Sequence, residues 1–193
     1  ERRLLPVAPA AHHTMGGARI DAVGATAVRG LYAAGEAAGG LHGANRMGGN
    51  ALSETLVFGA RAGGAAAAWA ERSENADPQP VVTVLEDRAR RWRRGAPRGA
   101  ELKERLRRIM WEDGGIMRTA DGLARALAAV QTIQQEASEG ASELAGKELF
   151  DLIELRSAAR VAVVILEAAA ARRESRGTHF REDFPDPKDA QWQ

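Results

Sequence analysis

The sequence predicts an α+β chain, with a few short strands and one helix in its first part and a three-helix bundle in its second. Two observations predict this. Residues 1–65 are rich in Gly and other small residues, with short stretches of alternating polarity. From about residue 99 the apolar residues recur at helical spacing instead, in three runs separated by short breaks.

Taken in order, Ala18–Val23 partly alternates in polarity and runs into a Gly-containing turn. Gly30–Glu36 has the pattern of a short buried strand ending in a loop. Asn50 is placed to cap a helix that runs through Leu52, Leu56 and Ala60 to about Ala70. Ala51, Gly59, Ala60, Gly63 and Gly64 would let that helix pack close to a sheet. Ser73–Pro80 is polar and contains Pro, which reads as linker. Arg88, Arg90, Arg91, Arg93, Arg94 and Arg98 follow as a basic run closed by Gly95 and Pro97. A solvated helix face and loop is the plain reading of that run; docking of a partner subunit is the alternative.

Leu102, Leu106, Ile109 and Met110 mark the first bundle helix. Leu123, Leu127, Val130 and Ile133 mark the second, and Leu144 through Leu166 the third. Gly114-Gly115 and Gly140 punctuate them. The charged tail from Arg172 to Pro185 ends as extended chain. The expected organisation is therefore residues 1–72, a linker at 73–98, and a helical domain with its tail at 99–193.

Composition removes several classes. The 27 Lys and Arg nearly balance 26 Asp and Glu, so no net field draws nucleic acid or an acidic membrane surface. The absence of Cys excludes a disulfide framework and any Cys-ligated metal site within this chain, and suits a reducing cytoplasm. No apolar run approaches bilayer length; the longest, Val161–Ala171, is broken by Glu167 and reads as a core helix. No signal peptide is visible. A dense motif begins within a few residues of Glu1, and upstream protein is expected to precede it.

Three segments could hold chemistry. In the first, His12-His13-Thr14-Met15-Gly16-Gly17, two imidazoles precede a Gly pair that allows close backbone approach to a ligand. It is too sparse for a metal site, since no third ligand lies nearby. In the second, Gly35-Glu36 leads to His42-Gly-Ala-Asn-Arg-Met-Gly-Gly-Asn-Ala-Leu52, where His, Asn and Arg46 sit in a Gly-rich loop before a helix start. A helix N-terminus presents unpaired N–H groups to an anion, and Arg46 offers a fork that matches a carboxylate. Taken alone this supports a small anionic ligand, or equally an Arg paired with a nearby acid. The third, Glu174-Ser-Arg-Gly-Thr-His-Phe-Arg-Glu-Asp-Phe184, is by itself an ordinary charged tail.

Together, in this order, the three segments resemble the flavoprotein subunits of succinate dehydrogenase and fumarate reductase. Pro9–Gly17 is similar to their Pro-x-x-His-(Tyr)-x-Met-Gly-Gly stretch. Gly30–Gly59 is similar to their second flavin-binding segment, and the tail to their Glu-Ser-Arg-Gly-x-His-x-Arg-x-Asp-Phe-Pro stretch. L-aspartate oxidase shares all three.

The resemblance implies that residues 1–72 are the closing strands and helix of an FAD-binding domain. It implies that Arg46 clamps a substrate carboxylate and His12 hydrogen-bonds one. Glu36 would bind the ribityl hydroxyls of FAD, and the backbone at Ala51 and Leu52 would face the flavin pyrimidine ring. His42 and Asn45 would shape the loop. His13 stands where Tyr is usual and Ala51 where Ser is common, so any contact of Ala51 is main-chain. The loop from Glu36 to His42 is one residue shorter than in many relatives.

No Gly-x-Gly-x-x-Gly fingerprint lies on a strand–helix junction, so the pyrophosphate site is expected elsewhere. The proton-donating Arg and any flavin-linking His are expected upstream as well. The implied parent interconverts succinate and fumarate by hydride transfer at flavin N5 and passes electrons to an iron–sulfur subunit. It would be cytoplasmic, reaching the inner face of the membrane only through partner subunits. No nucleic acid, direct membrane insertion or metal is expected, and this stretch alone would be inactive and bind FAD poorly. L-aspartate oxidase or another fumarate-reductase-like flavoenzyme is the alternative. A non-catalytic helical docking module is the alternative of another class.

Overall fold

The computed structural model describes residues 12–74, 77–95, 98–139 and 142–192. Pro9, Pro97 and Gly140 of the expectations above lie outside the described residues. The chain divides into two compact units, Glu1–Ala76 and Asp77–Gln193.

In the first unit β1 (Ala18–Arg19) pairs in parallel with β2 (Ala38–Gly39), Ala18 opposite Ala38. Glycine makes this approach possible. Gly17 sits at φ +132°, and a Cβ there would lie 2.3 Å from the Ala37 carbonyl oxygen. A one-turn 3₁₀ helix, Gly35–Ala37, leads into β2. The long helix α1 (Asn50–Arg72) follows the loop.

Two expectations need correction here. Gly30–Glu36 is not a buried strand. Leu31 is exposed, and only Tyr32 makes a bridge, with Ala25. Backbone bonds from Thr26 N–H to Leu31 O and from Ala33 N–H to Gly24 O close the stretch as a tight hairpin. The small residues Ala33 and Ala34 bring no bulk to bury, so a local turn satisfies the backbone instead. Asn50 is the first residue of α1 rather than its cap. Gly49, at φ +85°, takes the cap position without a side-chain bond.

The hairpin rests on α1. A Cβ on Gly24 would lie 2.7 Å from that of Ala62, Arg61 Nη1 donates to Ala22 O at 3.3 Å, and the Arg29 guanidinium stacks 4.8 Å from the Trp69 ring centroid.

The second unit begins with α2 (Gln79–Trp92), which lies inside the stretch read as linker. It carries Arg88, Arg90 and Arg91 on an exposed face, and Arg90 pairs with Asp87. β3 (Arg94–Gly95) follows, then α3 (Gly99–Glu112), β4 (Met117–Arg118), α4 (Ala120–Glu136), β5 (Ser142–Glu143), α5 (Gly146–Ala171), β6 (Phe180–Arg181) and α6 (Asp189–Trp192). β3 and β5 are antiparallel, while β4 and β6 are parallel.

The expected three-helix bundle is α3, α4 and α5. Leu102, Leu106, Leu123, Val130, Ile133, Leu152, Leu155 and Leu166 are buried at their common core. Burying each such side chain is worth about 2 kcal/mol. Thr119 caps α4 by accepting the Gly122 N–H at 3.1 Å. Leu144 precedes α5, buried, with its N–H donating to Arg93 O.

The tail is not an ordinary charged tail. Glu174 is fully buried and Arg181 nearly so, at 1% exposure. Arg181 Nη1 donates to the Ala169 carbonyl at 3.0 Å, at the C-terminal end of α5. Its Nε and Nη2 donate to the two oxygens of Asp183 at 2.8 and 2.7 Å. Asp183 in turn accepts the Ala120 N–H at 2.9 Å, at the start of α4. One ion pair thus satisfies helix ends of opposite polarity. Glu174 holds Arg176 through both oxygens and accepts the Lys188 N–H, and Arg176 also reaches Asp189 at 2.6 Å. These partners hold the Glu174 and Asp183 carboxyls down to about 2, chiefly through hydrogen bonds from Arg176 and Arg181 respectively.

Candidate functional site

The chemistry of the first unit gathers where the 12–17 segment, the 3₁₀ turn and the start of α1 meet. Gly35, at φ +72°, turns the chain so that Glu36 projects from the short helix. Glu36 Oε1 accepts the Thr14 N–H at 2.7 Å, and its Oε2 lies 3.6 Å from His13 Nδ1. The Thr14 bond, more than the nearby positive charge of His13 and then His12, holds the Glu36 carboxyl below the usual range.

The His13 ring meets the His42 ring edge to face, with centroids 5.3 Å apart. His42 Nε2 lies 3.9 Å from Glu54 Oε2 on α1, and the other oxygen of Glu54 accepts the Gly35 N–H at 2.9 Å. Glu36, His13, His42 and Glu54 therefore form one row from the 3₁₀ turn to the second turn of α1. His12 is exposed beside this row, close enough for its charge to act on Glu36.

Arg46 is half-buried in the Gly-rich loop just before α1. Its Nε is shielded from solvent without a hydrogen-bond partner. His13 Nε2, His42 Nε2 and Glu54 Oε2 share that condition. Buried polar atoms left unpaired are costly; those of His42 and Glu54 face each other, while the shielded nitrogens of Arg46 and His13 mark a surface able to receive polar groups from a ligand.

Ala51 and Leu52 lie in the first turn of α1. Its cap makes no side-chain bond and its first turn holds no acidic residue; the Asn50 and Leu52 N–H groups donate to Met47 O and Gly49 O, and the positive end of the helix still favours an incoming anion or carbonyl. Beside it Met47, Leu52 and Leu56 are 73%, 76% and 75% exposed. An apolar surface next to unpaired polar atoms fits a planar ring system with a polar edge. The residues present thus fit a flavin, with the Glu36 carboxylate as acceptor for hydroxyls. Among the described residues no group of three His, Cys, Asp or Glu could hold a metal ion.

His13 and Thr14 lie in the first segment that the sequence marks out but carry no assigned role there, and Glu54 is not among the residues it marks. A single charged residue within residues 50–60 was the available signal for Glu54. Two depressions lie in the second unit. One, of about 480 Å³, is lined by Asp87, Arg90, Arg91, Arg93 and Glu143, and Arg90 pairs with Asp87 there.

Comparison with known proteins is consistent across both units. The family described as fumarate reductase flavoprotein C-term matches residues 103–193, and the FAD binding domain family matches residues 1–52. The fumarate reductase flavoprotein subunit of Mycobacterium tuberculosis is 39% identical over 201 residues, covering 96% of this chain and 34% of the relative. An L-aspartate oxidase of Streptomyces coelicolor is 40% identical over 196 residues, covering 97% of this chain and 33% of the relative. The solved FrdA chain of E. coli quinol fumarate reductase superposes with a TM-score of 0.88 at 32% identity, covering 97% of this chain and 34% of that one. The chain spans about a third of the length of the relatives it matches.

Proposed function

This chain belongs to the succinate dehydrogenase/fumarate reductase flavoprotein family, and on that premise we propose that it is the carboxylate-clamping, flavin-edge part of an FAD-dependent oxidoreductase that interconverts succinate and fumarate. One observation carries the reading: the Arg46 guanidinium stands half-buried at a helix start with its Nε shielded and unpaired. A planar fork in that position matches a dicarboxylate better than a solvated surface charge would.

FAD, when bound, supplies the hydride chemistry at its N5. The chain's own residues bind and orient. Arg46 would hold one substrate carboxylate and His12 would donate a hydrogen bond to it. Glu36, kept ionised by Thr14, would accept from the ribityl hydroxyls. The backbone at Ala51 and Leu52 would present the positive end of α1 to the electron-rich edge of the ring. Fixing both reactants against one helix end contributes orientation to the reaction. The proton-donating Arg and the pyrophosphate-binding part are assigned to the remainder of the protein, and electron transfer to an iron–sulfur partner. The boundaries 1–72, 73–98 and 99–193 are proposed for the functional division, with cytoplasmic location and any contact with the inner face of the membrane made through partners. Among the described residues no helix is long and apolar enough to cross a membrane.

The 40% identity to an L-aspartate oxidase favours a second reading, oxidation of L-aspartate by the same arrangement. Assay of the full-length protein with succinate, fumarate and L-aspartate separates the two. Turnover of the dicarboxylates supports the first reading; turnover of L-aspartate alone replaces it with the second.

A further inference from the structure

Glu54 is a buried acid on α1, its side chain 6% exposed. One of its oxygens is used, accepting the Gly35 N–H at 2.9 Å. The other is shielded, makes no hydrogen bond, and lies 3.9 Å from His42 Nε2, which is equally shielded and unpaired. A buried carboxylate with a free oxygen is costly, and the imidazole is the group facing it. Closing that gap by about 1 Å would give both atoms a hydrogen bond of ordinary length.

The two ends of this contact matter. Gly35 immediately precedes Glu36. His42 opens the loop that leads to Arg46 and its ring rests against His13. Glu54 therefore touches both the turn that presents Glu36 and the loop that presents Arg46, from a fixed point on α1.

We propose that Glu54 is a positioning residue, which fixes the Glu36 turn through Gly35 and the Arg46 loop through His42. The proposal rests on the reading of Arg46 as the carboxylate clamp. Because the two arms of Glu54 serve different ligands, their loss has different signatures. Losing the His42 arm loosens the clamp and raises KM. Losing the Gly35 arm loosens the turn under Glu36 and lowers flavin retention.

The test uses the full-length holoprotein, with flavin content and steady-state kinetics on whichever of fumarate, succinate or L-aspartate it turns over. His42→Asn is expected to raise KM about tenfold with flavin content unchanged. Glu54→Gln keeps an acceptor for the Gly35 N–H, so it is expected to raise KM by a similar factor and retain flavin. The double variant is expected to be no worse than either single one within about twofold, because both remove the same contact. Glu54→Ala is expected to lose flavin as well; should it fail to fold, the other variants still decide. Wild-type KM in both His42→Asn and Glu54→Gln, or effects that multiply in the double variant, overturns the proposal. Arg46→Lys is measured alongside. If it loses turnover while the His42 and Glu54 variants stay normal, only the positioning role falls. If Arg46→Lys itself behaves as wild type, the clamp and the proposal built on it fall together.

Discussion

The Glu36 carboxylate accepts the Thr14 N–H across 22 residues of chain, at 2.7 Å. This bond joins the segment carrying His12 and His13 to the turn that presents the acid. It also keeps the carboxylate charged, with one oxygen left to face a ligand.

Glu36→Ala removes both the tie and the acceptor. In the full-length protein it is expected to weaken FAD retention by about tenfold or more while changing dicarboxylate KM less. Flavin content of the purified variant, read from its absorbance against protein, checks this. Content equal to wild type would contradict the assignment.

Arg181 is expected to be the most sensitive position of the tail. Arg181→Met takes the guanidinium from the Ala169 carbonyl and from Asp183, which keeps the Ala120 N–H. Removing one partner of a buried pair costs about 3 kcal/mol or more. Urea unfolding of the chain measures it; a change within about 0.5 kcal/mol would show that the clasp adds nothing.

Stability is expected to fall in two steps as pH drops. His179 Nε2 meets the Arg172 carbonyl at 3.0 Å, so that nitrogen carries the proton, and Nδ1 accepts from Arg118 at 2.9 Å. Burial first, and then the charges of Arg118, Arg172 and Arg181, lower its pKa in the folded state. The unfolded chain therefore binds the proton more readily, and stability declines as pH falls below the ordinary value of about 6.5. Glu174 and Asp183, held at about 2 when folded, contribute stability above their ordinary values of 4.5 and 3.8 and lose it as pH falls toward 2. His179→Gln is expected to flatten the urea midpoint between pH 7 and 5 and to leave the lower step in place. A wild-type midpoint that stays constant from pH 7 to 5 would contradict the first step.

What the sequence made legible follows from which forces are local. The bundle was readable because Leu102, Leu106, Leu123, Val130 and Leu155 repeat at helical spacing, and burial of that stripe decides the fold. Arg46 and Glu36 were nameable because they sit in motifs tied to a Gly-rich loop and a helix start. The strand expected at Gly30–Glu36 failed because small apolar residues look alike in a strand and in a hairpin pinned by Gly24. The tail misled for a different reason. Glu174 and Arg176 have the composition of a solvated chain, and only the helix ends that Arg181 and Asp183 satisfy make their burial worthwhile. Those ends are contributed by α4 and α5, so the pairing is set by tertiary contact. Glu54 was passed over because its partners, Gly35 and His42, are brought to it by the turn and the loop.

The central claim is that Arg46 is a carboxylate clamp beside a helix end, and its most direct measurement is the kcat/KM of Arg46→Lys in the full-length flavin-loaded protein. Lysine keeps the charge but not the fork, so kcat/KM for the substrate is expected to drop about tenfold to a hundredfold with flavin content unchanged. Wild-type kcat/KM in that variant would contradict the account.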